Sequence, residues 1–172
     1  MKHGYLSVVY DEGSHPFTEY PKLLCHYLYQ SFDLKVGMKM LEPGCGRGEF
    51  LDNFQELGLD VQGVDISPEA VEFASNFIVD LCDVENEILP FNDNTFDFIT
   101  CYSVIPYVKN IGMLFDEIFR VIQPNGIVVI IIMNLKGLAL QPKTHFENRF
   151  DTKRLHLELK KHNLISIKAN NL

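Results

Sequence analysis

The sequence predicts an α/β fold, a doubly wound and mostly parallel sheet with helices on both of its faces. Two observations lead to this prediction. Short apolar segments with the length of buried strands alternate along the chain with segments whose apolar residues recur at helical spacing. The run 127–133 is apolar throughout and mostly β-branched, which is typical of a central parallel strand. Such alternation favours parallel pairing, because parallel strands need a crossover connection, usually a helix.

Local patterns predict the individual elements. The apolar residues of segment 20–32 follow i, i+4 spacing, which predicts a helix. Ser67 and Pro68 suit the N-cap and the first position of another helix. The predicted helices are 20–32, 49–57, 68–76, 110–122 and 151–162. The predicted strands are 38–42, 60–65, 77–82, 97–101, 126–133 and 164–168. Right-handed crossovers would place the carboxyl ends of the parallel strands along one edge of the sheet.

Composition limits the classes of function. The chain has 172 residues, of which 47% are hydrophobic and 22% charged, and this fits one globular domain. No apolar run reaches the roughly 18–20 residues of a membrane span, so no membrane association is expected. A net charge of −8 argues against nucleic acid as a partner. The four cysteines show no C-x-x-C spacing, so we expect reduced core thiols, no metal site and a cytoplasmic location.

The most informative segment follows the first predicted strand and reads Glu42-Pro43-Gly44-Cys45-Gly46-Arg47-Gly48-Glu49. A glycine turn between a strand and a helix brings backbone N–H groups close to a small ligand. A dinucleotide fingerprint needs glycine where this chain has Glu49, and no Lys-Ser/Thr pair of a P-loop follows Gly48. The carboxylate of Glu42 suits a cationic or amine-bearing ligand better than a pyrophosphate.

Residues 42–48 resemble motif I of the class I S-adenosylmethionine-dependent methyltransferases. The second predicted strand ends in Asp65, about 20 residues after Gly46, as a ribose-binding acid does in Rossmann-type units. The third predicted strand is followed by a further acid, Asp83.

The resemblance continues further along the chain in the family's order. Leu89-Pro90-Phe91 with segment 94–101 resembles the family's LPF…FD approach to strand four, and 120–126 resembles its RVLKPGG turn into strand five. The whole resemblance covers roughly residues 38–133.

The resemblance implies S-adenosylmethionine as the cofactor and assigns its contacts. Asp65 would accept hydrogen bonds from the ribose hydroxyls; the alternative is an acid satisfied by backbone N–H groups of the next helix. Glu42 would order the glycine loop or meet the cofactor's ammonium. Asp83 would accept from the adenine amino group; the alternative is an acid that only stabilises a turn. The other cofactor contacts implied are Gly44, Cys45, Gly46, Ile66, Val84 and Tyr102.

The function implied is methyl transfer to a small molecule, with an oxygen nucleophile as the expected acceptor. Holding nucleophile and methyl group in line can supply most of the catalysis. A general base is needed only for a hydroxyl or a protonated amine. Its weak candidates are His145, Glu147 and Tyr107, each with a purely structural role as the alternative, so the catalytic residue stays unknown at this point.

The single domain, 1–172, is expected to have three parts. These are an N-terminal lid segment and helix (1–37), a cofactor-binding core (38–133), and a loop, helix and last strand (134–172). Family members usually end in two further strands, the last antiparallel, whereas this sequence offers one candidate. Either the last strand is missing or the sequence is a truncated form. A missing strand would expose a sheet edge, which makes a homo-oligomer a hypothesis.

Two other function classes stay open beside the enzyme. One is a catalytically idle S-adenosylmethionine-binding regulatory or partner protein, suggested by the short C-terminus and by Asn125 in place of the second turn glycine. The other is an NAD(P)-dependent oxidoreductase, which Glu49 disfavours. The sequence does not identify the methyl acceptor.

Overall fold

The structure is a computed structural model that describes residues 20–132 together with positions 157 and 160. Its helices are α1 (Tyr20–Ser31), α2 (Glu49–Glu56), α3 (Pro68–Phe73) and α4 (Ile111–Val121), with a short 3-10 helix at Ile105–Tyr107. Its strands are β1 (Lys39–Pro43), β2 (Asp60–Asp65), β3 (Ile78–Leu81), β4 (Phe96–Tyr102) and β5 (Ile122–Ile131). No helix among the described residues is long and apolar enough to span a membrane.

The five described strands form one parallel sheet with the order β3-β2-β1-β4-β5. Strands β2 and β3 lie on one side of β1, and the chain then crosses over so that β4 and β5 lie on the other side. The carboxyl ends of β1 and β4 therefore flank a switch point, where open α/β sheets bind ligands. The predicted fold class is confirmed in this region.

Helices cover both faces of this sheet because side chains of a strand alternate between the faces. On β1, Met40 packs with α1 and α2, whereas its neighbour Leu41 packs with α4. Both side chains are fully buried. The central strand is thus enclosed on both sides, and only its first residue, Lys39, is exposed.

The boundaries differ from the predicted ones by more than one residue at two elements. Strand β5 begins at Ile122 instead of 126, because Ile122 already pairs with Phe96 before the chain bulges and Ile127 pairs with Phe98. Asn125 in this bulge has φ 68°, a left-handed conformation that Asn tolerates. Helix α3 ends at Phe73, three residues earlier than predicted.

Several predicted segments lie outside the described residues. These are the lid residues 1–19, the last strand at 164–168 and most of the helix at 151–162. Positions 157 and 160 within that helix are both helical.

One arginine fixes the loop between β3 and β4 to helix α4. The guanidinium of Arg120 donates to the carbonyl oxygens of Leu89 at 3.0 Å and Phe91 at 2.7 Å, and to the carboxylate of Glu117 at 2.6 Å. Glu117 in turn accepts from the Leu89 N–H at 2.8 Å. The hydrogen bonds from Arg120 hold the pKa of Glu117 below its usual range.

Replacing Arg120 by alanine is expected to lower the free energy of unfolding by about 2–4 kcal/mol. The substitution leaves two carbonyls and a mostly buried carboxylate without their donor. Urea unfolding at neutral pH measures the change. The control is Lys35→Ala, which removes an exposed ion pair with Asp33 and should change stability little. Equal effects of the two substitutions would contradict the assigned role.

Candidate functional site

The glycine loop lies at the carboxyl end of β1 and turns sharply into α2. Gly44 has φ +70°, and a Cβ on it would stand 2.5 Å from a methyl group of Val104. Its N–H donates to the Val64 carbonyl of β2 at 2.7 Å. Backbone conformation and space therefore both require glycine at this position.

Asp65, at the end of β2, connects this loop to helix α3. Its Oδ2 accepts from the Gly46 N–H at 2.8 Å and its Oδ1 accepts from the Ser67 N–H at 2.9 Å. Ser67 also caps α3, since its hydroxyl accepts from the Ala70 N–H. Asp65 is 7% exposed. The alternative role, an acid satisfied by backbone donors, is thus observed, yet each oxygen keeps acceptor capacity for a further donor.

Glu42, at the tip of β1, is in a different environment. The side chain is 2% exposed, and its Oε2 has no hydrogen-bond partner among the described residues. Burial raises the pKa of this carboxyl well above its usual range, and the nearby charges of Asp65 and Glu49 raise it further. Burial therefore favours the neutral form of the carboxyl beside the glycine loop.

Arg47 and Glu49 close the loop on its outer side. The Arg47 guanidinium donates to the Glu49 carboxylate at 2.8 Å, and it lies 5.9 Å from the ring centroid of Phe73 on α3. The Arg47 side chain is only 4% exposed. Glu49, which excluded the dinucleotide fingerprint, thus serves as the anchor of this arginine. The sequence analysis assigned no role to Arg47.

Asp83 follows β3 and caps its own turn. Its Oδ1 accepts from the Glu85 N–H at 3.2 Å and its Oδ2 from the Asn86 side chain at 3.0 Å. Ile66, in the turn after β2, leaves half of its side chain exposed, whereas Val84 is buried. The turn role of Asp83 is observed, and its role toward an adenine ring stays a prediction.

The exit of β4 approaches the glycine loop from the other side of β1. Tyr102 stacks on Phe50 of α2 with ring centroids 4.7 Å apart. Burial raises the pKa of the Tyr102 phenol. Tyr107 lies partly buried in the 3-10 helix that follows. His145 and Glu147 lie outside the described residues.

Cys45 lies within the glycine loop. The thiol of Cys45 is buried, and burial raises its pKa, so it is held as a small neutral side chain. The described part of the chain contains no cluster of three or more His, Cys, Asp or Glu side chains that could hold a metal ion.

The sequence analysis missed Thr100 at this site. Thr100 is fully buried in the middle of β4, and its hydroxyl has no partner among the described residues. The available signal was a single hydroxyl within the otherwise apolar segment 98–101. Because this segment was interpreted as an ordinary buried strand, the hydroxyl of Thr100 was not considered.

Replacing Glu42 by glutamine is expected to stabilise the free protein increasingly as the pH rises. A carboxyl whose pKa is raised by folding makes its full contribution to stability when the pH is below its ordinary pKa of 4.5. It loses that contribution as the pH rises towards its pKa in the folded protein. Over that pH range, the free energy of unfolding of Glu42→Gln minus that of the wild type should increase by up to about 1.4 kcal/mol per pH unit.

Urea unfolding at pH 5, 6 and 7 measures this difference. Glu56→Gln, at an exposed position of α2, controls for the general loss of a carboxylate. A difference between Glu42→Gln and wild type that does not change with pH would contradict the burial of a neutral Glu42.

Comparison with known proteins places this architecture in a family. Residues 41–130 match the family model described as a methyltransferase domain. The chain is 35% identical over 108 residues to phosphoethanolamine N-methyltransferase 3 of Arabidopsis thaliana, covering 57% of this chain and 21% of that protein. It is 31% identical over 112 residues to the ubiquinone biosynthesis O-methyltransferase of Mesorhizobium japonicum, covering 60% and 45%. The chain thus spans less than half the length of these relatives.

A solved structure has the same fold. A SAM-dependent methyltransferase from Archaeoglobus fulgidus superimposes with a TM-score of 0.73 at 19% identity, over 90% of this chain and 73% of that one. The likeness confirms the fold. The family match, which covers residues 41–130 of 172, confirms the family that the motifs predicted: the chain belongs to the family of methyltransferase domains.

Proposed function

We propose that this protein binds S-adenosylmethionine at the carboxyl ends of β1 and β2 and transfers its methyl group to a small molecule. The observation that carries the proposal is the pair of buried carboxyls, Glu42 and Asp65, on either side of a glycine turn that no larger residue could form. Family membership supports the same activity.

The residues present fit the cofactor part by part. The buried Oε2 of Glu42 has no partner among the described residues and suits the ammonium of the methionine end. Gly44, Cys45 and Gly46 offer backbone at close range, with Tyr102 on the far side. Each oxygen of Asp65 can accept a further hydrogen bond from a ribose hydroxyl.

The adenine would lie beyond the ribose, near the loop that follows β3. Ile66 is the exposed apolar side chain between Asp65 and that loop and would cover one face of the base. Asp83 and Val84 would meet its edge. Because Asp83 already caps its turn, its contact with the amino group would use the remaining lone pairs.

The bound cofactor supplies a methyl group activated by a positive sulfur. The protein's task is then to orient the acceptor in line with that methyl group and to exclude water. Tyr107 lies in the segment after β4 and is the described candidate for receiving or relaying a proton from a hydroxyl acceptor. His145 and Glu147 are the other candidates.

An oxygen acceptor remains our proposal for the substrate. Of the two relatives named above, one is an N-methyltransferase and the other an O-methyltransferase, so both kinds of acceptor occur among the relatives. We also propose a cytoplasmic location, in keeping with four free and buried cysteines. Self-association is proposed because the edge strand β3 exposes Ile78 and Leu81.

The alternative is a catalytically idle cofactor-binding protein. The observation that favours it is Asn125, which stands in place of the second turn glycine. Release of S-adenosylhomocysteine in the presence of any acceptor would exclude this alternative.

Titration calorimetry with S-adenosylmethionine, with NAD as the competing candidate, tests the proposed cofactor. We expect binding of the methyl donor and none of NAD. Gly44→Ala should abolish this binding, because its Cβ would push Val104 into the turn. The matched control is Gly37→Ala, which has a similar positive φ of +84° but nothing within 4 Å of the added Cβ. Gly37→Ala should bind normally. Binding of NAD instead, or equal loss in both variants, would contradict the proposal.

A further inference from the structure

Glu42 and Thr100 are neighbours on the two central strands of the sheet. The parallel pairing of β1 with β4 aligns Met40 with Phe98 and Leu41 with Ile99. If the same register is extended by one step beyond these two pairs, Glu42 aligns with Thr100. Paired residues of parallel strands point to the same face, and Met40 and Phe98 both pack on the face covered by α1 and α2. Glu42 and Thr100 therefore share that face.

Both side chains are buried polar groups that lack partners. Glu42 is 2% exposed and Thr100 is 0% exposed, and one oxygen of each has no hydrogen-bond partner among the described residues. Buried polar groups are nearly always hydrogen-bonded, because an unmade bond costs the full desolvation penalty. Two such groups side by side at a ligand-binding edge indicate a site that a ligand completes.

The charges around Glu42 do not favour its ionised form. The carboxylates that act on it are Asp65 of β2 and Glu49 of α2. The guanidinium of Arg47, in the same loop, donates to Glu49. Among the described residues, the other titratable groups whose pKa the charge of Glu42 raises are uncharged thiols and a phenol on α1, the glycine loop and β4. These are Cys25, Cys45, Cys101 and Tyr102.

We propose that Glu42 and Thr100 form a proton-coupled site for an ammonium group: Glu42 is a neutral acid in the free protein and releases its proton to solvent when the ammonium of the cofactor binds. The proposal rests on the proposed function and goes beyond it. An isolated buried carboxylate is unstable, whereas a carboxylate paired with a cation is not. The Thr100 hydroxyl makes no hydrogen bond with the described residues in the free protein, and it can donate to the carboxylate once Glu42 is ionised. It therefore stabilises the ionised form that ligand binding produces.

The consequence is that affinity for an ammonium-bearing ligand depends on pH. Below the pKa of Glu42 in the free protein, binding must remove a proton, so affinity should rise up to about tenfold per pH unit. Ligands without the ammonium should bind with no such dependence. The pH dependence of affinity thus arises from binding of the amino acid end of the ligand and not from binding of the nucleoside end.

Calorimetry in buffers of different ionisation enthalpy counts the protons released. S-adenosylhomocysteine carries the ammonium, and 5′-methylthioadenosine keeps the nucleoside but lacks the amino acid end. Between pH 5.5 and 7 we expect protons to be released with the first ligand and none with the second. Glu42→Gln should abolish the release. Thr100→Val, which keeps the shape, should weaken S-adenosylhomocysteine about tenfold and leave 5′-methylthioadenosine unchanged.

The outcomes separate this proposal from the proposed function. If both ligands bind the wild type and neither releases a proton, or if Glu42→Gln releases as many protons as the wild type, the proton-coupled site is wrong and the cofactor assignment stands. If neither ligand binds the wild type, both proposals are wrong. Unchanged binding of 5′-methylthioadenosine in each variant shows that the variant is folded.

Discussion

The hydrogen bonds of one buried carboxylate, Asp65, organise the whole candidate site. Its two oxygens accept from Gly46 in the glycine loop and from Ser67 at the start of α3. The backbone carbonyl of the same residue accepts from the N–H of Cys82, just after β3. The end of β2 thereby fixes the loop after β1, the start of the next helix and the exit of the neighbouring strand. Charge-assisted bonds of this kind are strong enough to offset the burial of the charge.

The two carboxyls of the site differ because their donors differ. Asp65 receives two backbone N–H groups, whereas Glu42, on the neighbouring strand, has one oxygen without any partner among the described residues. Burial then favours the neutral form of Glu42, and the charge of Asp65 adds to this effect. Asp65 is thus satisfied by donors of this chain, whereas Glu42 keeps an acceptor that the proposed ammonium site would use. The switch point between β1 and β4 brings Glu42 to the middle of the sheet.

The sequence predicted the order of elements, the parallel sheet and the family, because apolar period and glycine spacing are local signals. It placed Glu42, Gly44 and Asp65 together, since all three lie at strand ends on one edge. It did not predict the Arg47–Glu49 pair or the position of Thr100 beside Glu42. The position of Thr100 depends on strand register, which no local pattern specifies. The Arg47–Glu49 pair is local in sequence, but it depends on the conformation of the glycine loop and on the packing of Arg47 against Phe73 of α3. The sequence also did not predict the bulge at 123–126. It depends on the pairing of Ile122 with Phe96, which makes the residues of the expected turn part of β5.

The most direct measurement is a crystal structure of the protein with S-adenosylhomocysteine. The account predicts the ribose hydroxyls within hydrogen-bond distance of Asp65, the ammonium against Glu42 and Thr100, and the Gly46 N–H still donated to Asp65. A ligand bound away from the carboxyl ends of β1 and β2, or seated there without contact to either carboxyl, would contradict it.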